Sequence, residues 1–265
     1  MSEKDRRMPG ILYSCYSQTS RDGEQFAPHH SFSYIFSGAS ELFVSGTNYR
    51  FNQGEFRFVR KNQLVRFVKH PPAGGEFRTI SVRLDEVTLR SMSSEYDWSM
   101  SQEYKGENVL LLRPVPLLTN YIDSLSPYLN VDTPVNDVIS GLKVKEAVLL
   151  LLETNPVLKD VLFDFSEPGK IDLEAYMNEN YRFNVALSRF AYLTGRSLST
   201  FKRDFERIFR TTPNRWLQQK RLSDAYYLIK ERGLKSSEVY LEVGFKDLSH
   251  FSQAFKKAYG MAPSR

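Results

Sequence analysis

Between residues 11 and 84 apolar and polar positions alternate in short runs. Strands are expected at Ile11–Ser17, Phe32–Phe36, Glu41–Val44, Glu55–Val59, Leu64–Val68 and Phe77–Leu84, each rich in aromatic or β-branched residues. They are separated by Gly38, Gly46, Asn52-Gln53-Gly54, Lys61-Asn62 and Pro71-Pro72-Ala73-Gly74-Gly75, turn formers that supply a positive or a fixed φ. Many short strands with frequent turns predict a small β-barrel or jelly roll. After about Thr88 the period lengthens, with Leu117, Leu118, Tyr121, Ile122 and Leu125 at helical steps of three and four. A second helix is expected from about Val135 to Thr154. It carries Val138, Ile139, Leu142, Val144, Val148, Leu149, Leu151 and Leu152, too many apolar residues for one solvated face, so the surplus should be buried on the barrel or on a second copy of the chain. Asn155-Pro156 stops this helix, and Ser166-Glu167-Pro168-Gly169 reads as a linker.

Beyond the linker the chain repeats itself at an offset of 50 residues. Leu198 meets Leu248, Ser199 meets Ser249, Phe201 meets Phe251, Phe205 meets Phe255, Pro213 meets Pro263 and Arg215 meets Arg265. Leu198, Phe201, Phe205 and Ile208 or Phe209 form one apolar stripe at helical spacing, as do Leu248, Phe251, Phe255 and Tyr259, and of these Phe201, Phe205, Phe251 and Phe255 read as core. Ser197 and Asp247 are expected N-caps, each after a turn containing Gly195 or Gly244. A shorter helix is expected ahead of each turn, Asn184–Thr194 and Ser236–Val243, which completes two helix-turn-helix units. Pro213 suits the first turn of a connecting helix that runs to about Arg232, with Gly233 as its C-cap. Such a helix would hold the two second helices in successive major grooves, roughly 34 Å apart.

Charge separates the same two regions. There are 18 basic against 20 acidic residues up to Phe165, and 18 against 11 beyond it. The positive field of the C-terminal hundred residues favours a polyanion, nucleic acid or anionic membrane. No run of eighteen apolar residues occurs, and Met1 to Gly10 lacks the apolar stretch of an export signal, so a cytoplasmic protein is expected. The one cysteine, Cys15, has no internal disulfide partner and reads as a small packed side chain.

The segment Glu242-Val243-Gly244-Phe245-Lys246-Asp247-Leu248-Ser249-His250-Phe251-Ser252-Gln253-Ala254-Phe255-Lys256-Lys257, followed by Gly260 and Pro263, resembles the AraC/XylS family of transcription regulators. Arg221-Leu222, Ala225 and Leu228-Ile229 are similar to that family's linker helix, and the likeness covers about Ile171 to Arg265. Tyr240 departs from it, since the family usually carries a small alanine there.

The resemblance implies that the second helix of each unit presents its early residues to base edges. By position these are Ser199, Thr200, Lys202 and Arg203 in the first unit, and Ser249, His250, Ser252 and Gln253 in the second. Their chemistry agrees: Arg and Lys donate to guanine O6 and N7, Gln binds adenine bidentately, and hydroxyls serve either base. The bland alternative for Arg203 is a solvated helix charge. Arg196, Arg207, Arg215, Lys220, Lys256 and Lys257 are expected on phosphates. The first unit, with Lys202 and Arg203, should dominate base reading.

For the N-terminal half the resemblance is architectural, to the family's cupin-like sensor domain. Metal-binding cupins use two spaced His, a following Glu and a later His. Here His29 and His30 are adjacent, Glu41 follows, and no His lies within Glu55 to Val68, so neither metal nor other cofactor is expected. Side chains at adjacent strand positions would also point to opposite faces. The expected fold is therefore two-domain α+β. Residues 1–165 form a cupin-like barrel (about 10–85) with following helices (about 88–163), and 166–265 form an all-α double helix-turn-helix domain. The expected function is a sequence-specific regulator of transcription, an activator by family practice, with promoter DNA and RNA polymerase as partners. A small molecule or regulatory protein would act on the barrel, and the apolar helix around Ala147 to Leu152 is a dimerisation candidate, with core packing as its alternative. Two other readings stand beside it, a cupin-type enzyme with an accessory DNA-binding domain and a non-specific nucleic-acid-binding protein. The first lacks a metal set, a nucleophile-base constellation and a Gly-rich phosphate loop.

Overall fold

A computed structural model describes residues 6–129 and 136–263. Val135, where the second long helix was expected to begin, and Arg265, the repeat partner of Arg215, lie outside the described residues. Apart from Glu24–Phe26, which group with the second unit, the chain divides into two compact units between Ser166 and Glu167.

Among the described residues the first unit has ten strands: β1 (Arg6–Met8), β2 (Ile11–Tyr16), β3 (Ser20–Ala27), β4 (His30–Ser37), β5 (Ala39–Val44), β6 (Thr47–Asn52), β7 (Phe56–Val59), β8 (Gln63–His70), β9 (Phe77–Leu84) and β10 (Val109–Leu112). They make a six-stranded sheet ordered β1-β2-β9-β4-β7-β10 and a four-stranded sheet ordered β3-β8-β5-β6. Four of these strands were not expected. β1 is three residues long, β3 carries Arg-Asp-Gly-Glu-Gln at its centre, β6 buries only Phe51, and β10 falls in the stretch read as wholly helical.

The six-stranded sheet uses both faces. Ile35, Val59, Phe77 and Val109 meet Leu42, Val44, Phe51 and Val65 of the other sheet in one apolar layer. The alternate residues Phe32, Phe56, Phe58, Ile80 and Val82 pack under helices in a second layer. This period of two is the pleat expressed as burial. The helices are α1 (Glu86–Tyr96), α2 (Pro116–Leu129), α3 (Asp137–Thr154) and α4 (Lys159–Leu162). Asp85 caps α1 by accepting from the Thr88 N–H at 2.9 Å, and Asn136 caps α3 through the Val138 N–H at 2.7 Å.

On α3 the apolar surplus divides. Val144, Ala147, Val148 and Leu151 are buried in the unit's own core, whereas Val138, Ile139, Leu142 and Leu149 are exposed. The segment Ala147 to Leu152 is thus largely core, and the apolar face left to solvent begins two turns earlier.

The second unit is all helical: α5 (Leu173–Asn180), α6 (Leu187–Leu193), α7 (Leu198–Phe209), α8 (Pro213–Lys230), α9 (Ser236–Glu242) and α10 (Leu248–Tyr259). α5 was not expected, although Asp172 caps it through the Ala175 N–H at 3.0 Å. α8 ends earlier than expected, with Glu231 as its C-cap. Gly233 adopts φ 67° in the turn that follows, where the Leu234 N–H reaches back to the Leu228 carbonyl at 3.1 Å. The glycine therefore serves the exit of a widened turn.

α8 belongs to two apolar layers. Near its start Trp216 lies edge-on to Phe205 with ring centroids 5.5 Å apart, and 4.7 Å from Phe209. Further along, Leu222, Ala225 and Ile229 pack with Val239, Val243, Phe251 and Phe255. Tyr240 is half-buried at the edge of this second layer, so the bulk that departs from the family's alanine is accommodated at a margin.

Candidate nucleic-acid interface

Both second helices begin as their sequences predict. Ser197 Oγ accepts from the Thr200 N–H at 3.3 Å, and Asp247 Oδ1 accepts from the His250 N–H at 2.7 Å. Each cap satisfies one of the helix's unpaired amides and fixes where its first turn starts. Phe201, Phe205, Phe251 and Phe255 are fully buried, which turns the opposite faces of α7 and α10 outward.

The two turns differ by one residue. Gly195 is followed by Arg196 and then the cap, whereas Gly244 is followed by Phe245, Lys246 and then the cap. The extra position is taken by Phe245, buried against Phe251 with ring centroids 5.1 Å apart. Both glycines have positive φ, 65° and 93°, and both lie against neighbouring backbone.

On α7, Ser199, Lys202 and Arg203 are exposed along one stripe and Thr200 is half-buried beside it. Arg203 has 78% of its side chain exposed, with only a loose approach of 3.7 Å to Asp204. Its guanidinium fork is free to dock. The hydroxyls of Ser199 and Thr200 lie 3.1 and 3.0 Å from Ser197 Oγ, so each would have to exchange a capping contact for a base contact. On α10, Ser249, His250 and Gln253 are exposed and Ser252 is half-buried. The His250 ring leans on Phe245 at 5.8 Å, which restricts its rotamer.

Arg207, Arg215, Lys256 and Lys257 are exposed, and Lys220 is half-buried with its ammonium over Tyr181 at 5.6 Å. Arg196 departs from the expectation of a phosphate contact. Its side chain is 11% exposed, Nε donates to Asp204 at 3.2 Å, and one terminal nitrogen reaches the Thr194 and Ile171 carbonyls at 2.6 and 3.1 Å. Arg196 is an internal brace that ties the turn to α7, and its hydrogen bond holds the Asp204 carboxyl below its usual range. Arg196→Ala should therefore lower the stability of the C-terminal unit by about 1–3 kcal/mol. Urea unfolding followed by Trp216 fluorescence in a Trp98→Phe background would measure it. A changed DNA salt slope at unchanged stability would return Arg196 to the phosphate set.

Three exposed charges on these surfaces were not singled out from sequence: Glu206, Arg210 and Lys246. Glu206 lies three residues beyond Arg203 and is the repeat partner of Lys256. The repeat alignment contained this reversal of sign, and it makes the far end of α7 less attractive to phosphate than that of α10.

A second cluster sets the frame. Arg182 makes an ion pair with Asp224 at 2.7 Å, Tyr181 also hydrogen-bonds to Asp224, and Arg221 donates to the Tyr181 and Phe183 carbonyls at 2.7 and 2.8 Å. Through these contacts α8 grips the loop ahead of α6.

In the first unit of the chain His30 is buried and accepts from the Lys61 N–H at 3.1 Å, while His29 is partly exposed. Glu41 faces elsewhere, 3.3 Å from His70. Among the described residues no group of three or more His, Cys, Asp or Glu is placed to hold a metal ion, and no helix is long and apolar enough to cross a membrane.

Comparison with known proteins bears on both halves. A helix-turn-helix domain model matches residues 190–265, and a model of the ExsA N-terminal regulatory domain matches residues 30–161. The HTH-type transcriptional regulator ExsA of Pseudomonas aeruginosa is 25% identical over 218 residues, covering 80% of this chain and 76% of that one. The thermoregulatory protein LcrF of Yersinia pestis is 28% identical over 229 residues, 83% and 82% of the two chains. The virulence regulon transcriptional activator VirF of Yersinia enterocolitica is 28% identical over 175 residues, 63% and 64%. Capped recognition helices with outward polar faces, a shared linker helix and regulator likeness along both halves have one common explanation: the chain belongs to the AraC/XylS family and is a DNA-binding transcription regulator.

Proposed function

We propose that the C-terminal domain, residues 166–265, reads a specific duplex mainly through Lys202 and Arg203 on α7, with Ser199 and Thr200 beside them. On α10, Ser249, His250, Ser252 and Gln253 make the lesser base contacts, while Arg207, Arg215, Lys220, Lys256 and Lys257 engage phosphates. The N-terminal domain, residues 1–165, receives a small-molecule or protein signal in the cytoplasm and passes it to promoter occupancy. Activation through RNA polymerase is the direction adopted, in keeping with the activator VirF. The exposed apolar face of α3 is the surface we assign to a homodimer. One observation carries the reading: Arg203 projects from the stripe opposite the buried phenylalanines with its guanidinium almost uncommitted.

Arg203→Ala is expected to cost about 1–3 kcal/mol on the preferred duplex and to relax preference at one base pair. Lys257→Ala should weaken all duplexes alike and reduce the slope of log affinity against log salt by about one. Selection from a random duplex pool followed by salt titration tests both. Equal losses for both variants on every sequence would refute the base-contact assignment, and equal affinity for random and selected duplexes at physiological salt would favour a non-specific binder. Stoichiometric iron, zinc or manganese in purified protein would instead support the enzyme reading.

A further inference from the structure

Glu206 stands in the middle of the outward stripe of α7. Seven residues separate it from Ser199, two turns that bring it back to within about 20° around the axis and about 10.5 Å further along. It lies three residues beyond Arg203, about 4.5 Å along the same face. Like Ser199, Lys202 and Arg203 it is exposed, so a carboxylate sits among the side chains that face outward from the first unit.

None of the usual supports of a surface carboxylate is present at this position. Among the described residues Glu206 forms no ion pair, whereas Asp204 on the same helix is held by Arg196 at 3.2 Å and Glu86 on α1 by Arg90 at 2.7 Å. The residue four positions on, Arg210, has turned left-handed at φ 55° and ends the helix, which removes the geometry of an i,i+4 pair. Glu206 also lies in the last turn of α7, where the helix dipole disfavours negative charge. On a surface that attracts phosphate, each carboxylate weakens the attraction. The repeat partner in α10, Lys256, has the opposite sign, so the plan of the two units does not require an acid here.

The floor of the major groove offers the missing partner. Cytosine presents its N4 amino group there, and Glu or Asp accepts from it. We propose that Glu206 is a specificity-determining residue whose carboxylate accepts from cytosine N4, at a base pair one or two steps from the pair read by Arg203. The rise of about 3.4 Å per base pair matches the offset of about 4.5 Å between the two residues. Thymine and guanine place acceptor oxygens on the same edge, so the carboxylate rejects them as well as selecting cytosine. The proposal rests on the reading of α7 as the helix that enters the groove with Lys202 and Arg203.

The test is a competition titration of the full chain against duplexes built on the selected site, each pair within two steps of the Arg203 position being set in turn to all four bases. Wild type, Glu206→Gln, Glu206→Ala and Arg203→Ala are compared by their ratio of affinities for cytosine and for the other bases. A general gain from deleting a negative charge cancels in that ratio. Wild type should prefer cytosine over thymine or guanine about tenfold at one of these pairs, Glu206→Ala should abolish the preference, and Glu206→Gln should move it towards adenine. Replacing that cytosine by 2-pyrimidinone, which lacks only the amino group, should weaken wild type about tenfold and leave Glu206→Ala unaffected. No cytosine preference in wild type, or an equal gain on every duplex with the ratio kept in both Glu206 variants, overturns the proposal and leaves Glu206 a solvated charge. In that case Arg203→Ala still relaxes its own pair. If Arg203→Ala relaxes none either, the reading of α7 itself fails.

Discussion

Gly244→Ala is expected to destabilise the C-terminal unit by about 2–5 kcal/mol, summing a left-handed backbone penalty and an overpacking term, and to abolish specific DNA binding. The cause is local and steric. At φ 93° an added Cβ would overlap the Arg182 carbonyl oxygen and sit 2.9 Å from its carbon and 3.0 Å from Arg221 Nε. None of these atoms can withdraw, because Arg221 is itself bonded to the Tyr181 and Phe183 carbonyls. Gly260 provides the control, with φ 72° and no atom within 4 Å of an added Cβ, so Gly260→Ala should incur only the backbone penalty, about 1–2 kcal/mol. Urea unfolding read by Trp216, with a gel-shift titration, compares the two. Equal stability of both variants would show that the close approach at Gly244 is not rigid.

Acidification should destabilise the N-terminal unit through His30. Burial, with Lys61, Arg60 and His29 nearby and only Asp164 opposing them, lowers its pKa from 6.5 to about 3. A buried neutral imidazole stays unprotonated in the folded chain, whereas the unfolded chain takes up a proton below pH 6.5. Its contribution is thus fully present above pH 6.5 and is lost progressively as pH falls toward 3. The slope is about 1.4 kcal/mol per pH unit, so pH 4.5 should find the unit weaker by about 3 kcal/mol from this group alone. His30→Asn retains an acceptor for the Lys61 N–H but cannot titrate. Denaturation followed by Trp98 in a Trp216→Phe background should show the wild-type slope steeper than the variant's between pH 6.5 and 4.5. Parallel slopes would mean that His30 gains solvent or an acceptor on protonation.

Much of the placement of α7 and α10, and of their outward faces, was legible because several local signals coincide there. In α10 the cap Asp247, the glycine turn and the pair Phe251 and Phe255 all specify the same helix and the same buried face, while Leu248 at the head of the stripe is exposed. Once the buried face is known, Arg203 and Lys202 are outward by periodicity alone. Arg196 was not legible, since its charge reads the same whether it meets solvent or Asp204, and that partner lies eight residues away across a turn. α5 was missed because its eight residues bury only Leu173, Met177 and Asn180, too few points to establish a period. In the first unit the strands with strong alternation were found, and those that were missed are short, polar or covered on one side. β10 shows the limit most clearly: Val109-Leu110-Leu111-Leu112 is as apolar as a helix segment, and only its pairing with β7 makes it a strand.

The sharing of α8 between two apolar layers has a consequence for binding strength. A helix of 18 residues is about 27 Å long, and its ends are embedded in different halves of the domain. Once α7 is seated, α10 is not a free ligand but is held at a fixed place, so its encounter with the neighbouring groove is intramolecular. Its contribution then scales with an effective concentration set by rigidity more than with its own contacts. On the proposed assignment Ser249, Ser252 and Gln253, modest as individual readers, raise the avidity of the whole domain in this way, and loosening α8 would lose that gain with every proposed contact residue still in place.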